Sequence, residues 1–250
     1  MNQSSATCPT PSPQNNNGTL HLIPVGLSNS AIDGWLPRIA QSQASKLGFY
    51  IAENAKTARA FLKLVDLEQP LQSIDIKTLS NKVDDRTLKT WLSPIREGKD
   101  IGLVSEAGCP AVADPGARVV ALAHDLGITV KPWVGPSSIL LGLMASGLDG
   151  QRFAFHGYAP VKPDARTKQL KQWEQLSARQ QQTQLLIETP YRNNAMFQSL
   201  IETLAPNTRL CIARDVTGDQ EWVKTLSIAN WREQKLPELA NLPTLFLFQA

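Results

Sequence analysis

From residue 19 onward, short apolar runs rich in β-branched residues alternate with longer stretches whose apolar positions recur at helical spacing. A parallel strand is covered on both faces and reads as a continuous apolar run, whereas a helix that covers it needs only one apolar stripe. The alternation therefore predicts an α/β fold with a mainly parallel sheet. In the first half the pattern places strands over 20–25, 48–52, 101–104 and 128–133, and helices over 55–65, 84–96 and 115–126. The last of these helices carries its own punctuation: Asp114 as N-cap, Pro115 at the first helical position and Gly127 at the left-handed C-terminal cap.

The second half reads as a helix over 137–146, a strand over 152–156, a helix over 165–176, a strand over 183–188 and a helix over 192–204. Strands over 209–215, 222–227 and 244–248 follow. The stretch 209–227 holds two strands with no helix between them, so the second sheet is expected to be mixed. The break between halves falls at Val134-Gly135-Pro136. This divides the chain into an N-terminal α/β domain over 19–134 and a C-terminal domain over 135–250. Residues 1–18 are almost devoid of apolar side chains and are expected to be a flexible tail.

Composition narrows the class. The chain has 250 residues with 25 Lys plus Arg against 22 Asp plus Glu, a formal charge of +3, which excludes a histone-like polycation and an acidic tail protein. The longest apolar stretch, 139–145, is far short of the roughly 20 residues needed to cross a bilayer, and no basic-then-apolar leader opens the chain. Three cysteines, Cys8, Cys109 and Cys211, make neither a disulfide framework nor a zinc pattern, which fits a reducing cytoplasm. His21, His124 and His156 have no metal-ligand spacing, and no metal is expected.

The candidate chemistry sits in loops at strand ends: Pro24-Val25-Gly26, Ser105-Glu106-Ala107-Gly108-Cys109-Pro110, Asp114-Pro115-Gly116 and Gly135-Pro136-Ser137-Ser138. Ligands of open α/β sheets bind beyond the carboxyl ends of the strands, and small residues there let backbone groups approach a ligand. Each loop taken alone is compatible with ordinary turn chemistry; four at corresponding positions point to one crevice. There is no dinucleotide fingerprint, P-loop or serine-hydrolase elbow. Glu188-Thr189-Pro190-Tyr191-Arg192 and Arg214-Asp215 close strands in the second half, as either solvated turns or cleft residues. Lys162, Arg166, Lys168 and Lys171 form a basic run that reads more readily as a solvated helix face than as a phosphate site.

Taken in order, these segments resemble the tetrapyrrole-methylase superfamily of S-adenosylmethionine-dependent methyltransferases, and within it the branch that methylates a cytidine 2'-hydroxyl in small-subunit ribosomal RNA. The resemblance is carried by Val104-Ser105-Glu106-Ala107-Gly108-Cys109-Pro110 through Ala113-Asp114-Pro115-Gly116, where the family reads V-S-D-A-G-T-P and S-D-P-G. Gly135-Pro136-Ser137-Ser138, Ala145-Ser146-Gly147-Leu148, Arg152-Phe153 and Gly157-Tyr158-Ala159-Pro160 follow in family order. It implies a two-domain α/β fold with a parallel N-terminal sheet and a mixed C-terminal sheet, S-adenosylmethionine as cofactor, a homodimer in the cytoplasm, and ribosomal RNA or the small ribosomal subunit as partner. On this basis Pro24, Gly26, Ser105, Glu106, Ala107, Gly108, Ser137 and Ser138 would line the cofactor site. Glu188 and Arg192 match the family's E-S-T-H-R-like motif, and Arg214 with Asp215 its A-R-E motif. The catalytic candidates are Glu53, as the base, with Lys56, Glu188 and Arg192.

The chain also departs from the pattern. Glu53-Asn54-Ala55-Lys56 stands where the family has E-D-T-R, Thr78-Leu79-Ser80-Asn81 where it has H-D-H-N, Leu27 where Asn is usual, and Asn241-Leu242-Pro243 in place of K-G-E. The cofactor side of the resemblance is thus better kept than the acceptor side. Methylation of a tetrapyrrole or another small molecule, and a non-catalytic relative that binds the cofactor or RNA, stand as alternatives.

Overall fold

Each half of the chain builds a five-stranded sheet around its own apolar core, as seen in a computed structural model that describes residues 17–235 and 237–250. The first half runs β1 (Thr19–Leu22), α1 (Arg38–Lys46), β2 (Phe49–Ala52), α2 (Ala55–Leu62), β3 (Asp75–Thr78), α3 (Asp85–Leu92), β4 (Ile101–Val104), α4 (Gly116–Asp125) and β5 (Thr129–Pro132). All its strand pairs are parallel, in the order β3-β2-β4-β1-β5. Both faces are covered, as the continuous apolar runs require: Tyr50, Ala52 and Val104 pack with residues of α1 and α2, while Ile51, Ile101 and Leu103 pack with residues of α3 and α4.

The second half runs α5 (Ser138–Ser146), β6 (Phe153–Tyr158), α6 (Pro163–Gln180), β7 (Thr183–Ile187), α7 (Asn193–Thr203), β8 (Arg209–Arg214), β9 (Trp222–Ser227), α8 (Ile228–Arg232) and β10 (Thr244–Gln249). Its order is β6-β7-β10-β8-β9, with β6 and β7 parallel and the other pairs antiparallel, the mixed sheet expected from the missing helix between β8 and β9. Along β10 the side chains alternate: Phe246 and Phe248 enter the core shared with α6, α7 and α8, whereas Leu245 and Leu247 meet Leu143 of α5 on the opposite face.

Local chemistry explains where elements stop. The first strand ends at Leu22 rather than residue 25 because Pro24 has no N–H to continue the ladder. The helix expected over 84–96 ends at Leu92 and tightens into a 3-10 turn over Ser93–Glu97 around Pro94. The helix expected from Pro115 begins at Gly116, and Asp114 does not cap it from the N-cap position. Its carboxylate instead accepts from the N–H of Gly116 (2.6 Å) and of Ala111 (2.8 Å). At the other end, the N–H of Gly127 donates to His124 O and that of Ile128 to Ala123 O, the paired bonds of a Schellman cap with Gly127 at φ +68°. The expected flexible tail lies, through residue 16, outside the described residues. Gly18, at its boundary, is buried and donates to Ile95 O at 2.8 Å.

Topology fixes where a ligand can enter. The chain leaves β1 toward β2 and β3 on one side of the sheet, and leaves β4 toward β5 on the other, although β1 and β4 are neighbours. Their carboxyl ends therefore open a crevice between diverging loops.

Candidate functional site

The loops beyond β1 and β4 are tied together at that crevice. The N–H of Val25 donates to Gly108 O (3.0 Å) and the N–H of Gly108 to Val25 O (2.9 Å), an isolated antiparallel bridge outside the sheets. Gly108 adopts φ +75°, and a Cβ built there would stand 3.3 Å from Leu27 Cδ2, so both conformation and space call for glycine. The buried Ser105 hydroxyl donates back to Ala107 O and Gly108 O, closing the same turn. Farther along, Ala111 (φ +66°) and Ala113 (φ +60°) hold left-handed conformations without being glycine, over-determined by the Asp114 carboxylate between them and the helix.

These loops form one wall of a cavity of about 330 Å³. The opposite wall comes from the second half: the first turn of α5, Phe155 and Tyr158 of β6, Ile187 and Glu188 at the end of β7, and Ala213, Asp215 and Leu245. Ser28 Oγ donates to Thr217 O at 2.8 Å and links the two walls at one side. Among the described lining residues there are five carboxylates, Glu53, Glu106, Asp114, Glu188 and Asp215, and no Lys, Arg or His. The lining is mostly apolar, and its described charged groups are all acidic.

Of the residues singled out from sequence, Glu53, Ser105, Glu106, Ala107, Gly108, Ser137, Ser138 and Glu188 line this cavity. Pro24 and Gly26 lie behind the lining: Pro24 is buried so close to Gly135 that a Cβ on that glycine would fall 2.2 Å from the proline ring, and Gly26 backs onto the indole of Trp35. Lys56 is exposed in the first turn of α2 and does not line the cavity. Of the strand-end pair Arg214-Asp215, the aspartate reaches the wall, whereas Arg214 is held by Gln220 O and Glu238 O and lies near the Trp222 ring.

Glu53 and Glu188 meet the cavity in different electrostatic settings. Half-buried Glu53 accepts a hydrogen bond from the Glu106 N–H (3.3 Å). Burial pushes its carboxyl above the usual range, and the Asp114 and Glu106 carboxylates push the same way. Asp114 is raised as well, by burial, against the two backbone N–H groups it accepts. Asn54 caps α2 by accepting from the Lys56 N–H (2.9 Å), and its amide donates to Glu106 Oε1 (3.1 Å). Glu188 is a buried ion-pair member: its Oε1 accepts from the Thr189 N–H (2.7 Å) and Arg192 Nε (2.8 Å), with its side chain 1% exposed. Its other oxygen, Oε2, is buried with no partner.

Asp114, in one of the four loops expected at the crevice, lines it; sequence reasoning did not anticipate Phe155 or Leu245 as wall residues, nor the link between Asn54 and Glu106. The apolar alternation of the last strand carried the signal for Leu245. The amide link joins residues 52 positions apart and left no local trace.

Comparison with known proteins finds that residues 46–230 match the family described as Tetrapyrrole (Corrin/Porphyrin) Methylases. The chain is similar to the ribosomal RNA small subunit methyltransferase I of Xylella fastidiosa, 29% identical over 87% of this chain and 75% of that protein. It is likewise similar to the protein of the same name from Mycobacterium tuberculosis, 30% identical over 75% of this chain; the match spans 63% of that longer relative. Among solved structures, the methyltransferase CobJ superposes with TM-score 0.60 at 17% identity over 93% of this chain and 94% of its own. A uroporphyrin-III-C-methyltransferase from Thermus thermophilus gives 0.52 at 16% identity, over 93% of this chain and 92% of its own. These two superpositions concern the fold.

Proposed function

Because the chain belongs to the tetrapyrrole-methylase family, we propose that it is an S-adenosylmethionine-dependent methyltransferase whose acceptor is a ribose 2'-hydroxyl of small-subunit ribosomal RNA. The relatives named above support small-subunit ribosomal RNA as acceptor, and the ribose 2'-hydroxyl is what the sequence resemblance implies. The observation that carries the cofactor is the charge of the cavity: five carboxylates and no described cation suit a ligand that is itself cationic. Bound S-adenosylmethionine would supply a sulfonium methyl, electrophilic without a metal.

The residues present fit that ligand. Leu27, Phe155 and Leu245 offer apolar surface for an adenine. Ser137 makes no side-chain cap on α5, so the first N–H groups of that helix are free to meet a carboxylate. Ser105, Glu106, Ala107, Gly108, Ser137 and Ser138 form the donor-side wall in this reading, with Pro24 and Gly26 supporting it from behind. Glu53 takes the proton of the acceptor hydroxyl, because its raised proton affinity makes it a stronger base than an ordinary carboxylate. Glu188 and Arg192 face the acceptor from the other wall, and Lys56, exposed beyond the cavity, meets the acceptor's phosphates. The residue ranges 19–134 and 135–250 act as the two domains, in a cytoplasmic homodimer. Among the described residues no helix is long and apolar enough to cross a membrane.

Calorimetric titration with S-adenosylmethionine tests the cofactor; saturable binding is expected, and no binding would overturn the reading at its root. Mass spectrometry of ribosomal RNA from a deletion strain is expected to show one methyl missing and restored by complementation. An unchanged methylation map would remove RNA as acceptor, and failure to form S-adenosylhomocysteine with any cell extract would leave a non-catalytic relative.

A further inference from the structure

Two tyrosines stand at the cavity with their rings in solvent. Tyr158 lines the cavity and is 58% exposed; Tyr191, next to the lining residue Pro190, is 72% exposed. Large aromatic side chains are costly to leave in water, and this pair is not scattered. Arg192 lies over the Tyr191 ring, 5.4 Å from its centroid, and Tyr158 pairs across β6 and β7 with Ile187, the residue before Glu188. Behind them, the buried Glu188 holds Arg192 through Oε1 and keeps Oε2 without a partner, although a buried carboxylate oxygen ordinarily finds a donor.

We propose that Tyr158, Tyr191 and Arg192 form a stacking platform for one unpaired nucleobase of the acceptor RNA, with Glu188 Oε2 receiving a donor group of that nucleoside. The inference rests on the RNA reading above and specifies how the acceptor must arrive. Four of the five wall carboxylates have no ion-pair partner among the described residues, which disfavours phosphates in the cavity, so the backbone stays outside and a neutral base and ribose enter. A base inside a duplex cannot do this; an unstacked one can, if aromatic faces replace the stacking it has lost. The same wall disfavours a tetrapyrrole, whose carboxylate side chains would meet the same charge. Cations for the excluded phosphates stand next to the platform: Lys162 is exposed four residues past Tyr158, and Arg166 reaches back to Val161 O, with Lys168 and Lys171 exposed on the same helix. The basic run is thereby given a partner that a solvated helix face does not require.

The test uses a short unstructured oligoribonucleotide carrying 2-aminopurine, whose fluorescence is quenched on stacking, with the full chain and S-adenosylhomocysteine present. Wild-type protein is expected to quench it. Tyr191→Ala and Tyr158→Ala each lose the quenching and weaken binding about tenfold or more, whereas Tyr191→Phe and Tyr158→Phe retain both. Tyr191 does not line the cavity, so Tyr191→Ala is expected to leave the S-adenosylmethionine affinity unchanged, and melting temperatures check that the exposed sites do not affect folding. Quenching that survives both alanine variants, or is absent in the wild type, overturns the platform. If the wild type still methylates RNA while the alanine variants bind and react normally, the platform alone falls and the RNA reading stands. If uroporphyrin binds and RNA of any kind does not, both fall.

Discussion

Glu53 and Glu188 both close a strand and both line one cavity, yet their surroundings differ in kind. In the first half Glu53 has no cation beside it among the described residues: it shares its corner with Glu106 and Asp114, and burial raises its proton affinity. In the second half Glu188 is more deeply buried but is fixed by Arg192 and a backbone N–H. A carboxylate whose proton affinity is raised by burial and one tied into an ion pair are thus set on opposite walls. Their roles follow from neighbours supplied by other segments of the chain, not from position at a strand end.

The largest expected effect separates the two directly. Replacing Glu53 by Gln keeps the shape and removes the base, so kcat should fall by about 100- to 10,000-fold with S-adenosylmethionine affinity nearly unchanged. Glu188→Gln should instead raise KM for the RNA acceptor and spare more of kcat. Single-turnover kinetics on both variants checks this, and equal losses of kcat would erase the distinction. The pH profile sharpens it. Glu53 works deprotonated and its carboxyl is raised, so the acid limb of kcat/KM should lie above the ordinary carboxylate range and vanish in the Gln variant.

A smaller effect is expected from the turn that carries the donor wall. Gly108→Val forces a β-branched residue into φ +75° and toward Leu27, a strain of about 1–3 kcal/mol. If that strain is relieved by displacing the turn, S-adenosylmethionine affinity falls by roughly 10- to 100-fold, as calorimetry would record. Unchanged affinity would mean that the bridge between Val25 and Gly108 holds the loops for folding alone.

Much of this arrangement could be read from the sequence because strands buried on both faces announce themselves. Ile101–Val104, buried throughout, falls where the pattern placed it, and the cap at Gly127 follows from one glycine. The elements that escaped have little apolar signal. Asp75–Thr78 is an edge strand with no fully buried residue, and Arg38–Lys46 buries only Ala40, Ala44 and Ser45. The loops of the site were visible as clusters of small residues, but the sign of the cavity was not: the chain as a whole carries +3, while the cavity gathers acids from five separate segments. The resemblance to the E-D-T-R motif groups Lys56 with Glu53, and the helix that starts between them turns Lys56 outward.

Asn54 gives a subtler way to probe the first corner. The family resemblance expects Asp there, which caps a helix about as well as Asn but cannot donate to Glu106. Asn54→Asp replaces an amide hydrogen bond between carboxylates with another negative charge. Stability should change by less than about 0.5 kcal/mol at this partly exposed site, while the acid limb of the rate profile moves further upward. A profile that does not move would show that Glu53 is insensitive to its neighbours.

The smallest expected effect compares the two sheets through one residue type. His21 of β1 accepts the indole N–H of Trp133 on Nδ1 (3.0 Å), so its Nε2 carries the proton toward Asp100. His156 of β6 stacks on Trp173, with ring centroids 4.2 Å apart, and bonds Gln184 through Nε2 (2.7 Å). Burial holds both below the usual histidine value; only His21 has a carboxylate pulling the other way. A lowered folded-state value means that the unfolded chain binds the extra proton first. The contribution to stability is therefore complete above about pH 6.5 and is lost as pH falls through the folded-state values. Because Asp100 compensates a charge on His21 and no described carboxylate meets His156, the second sheet should loosen first on acidification. Amide hydrogen exchange resolved by sheet, between pH 7 and pH 5, is expected to show protection in β6 and β7 falling before that in β1 and β4. Simultaneous loss would mean that the two halves unfold as one unit and that the contrast between their walls ends at the cavity.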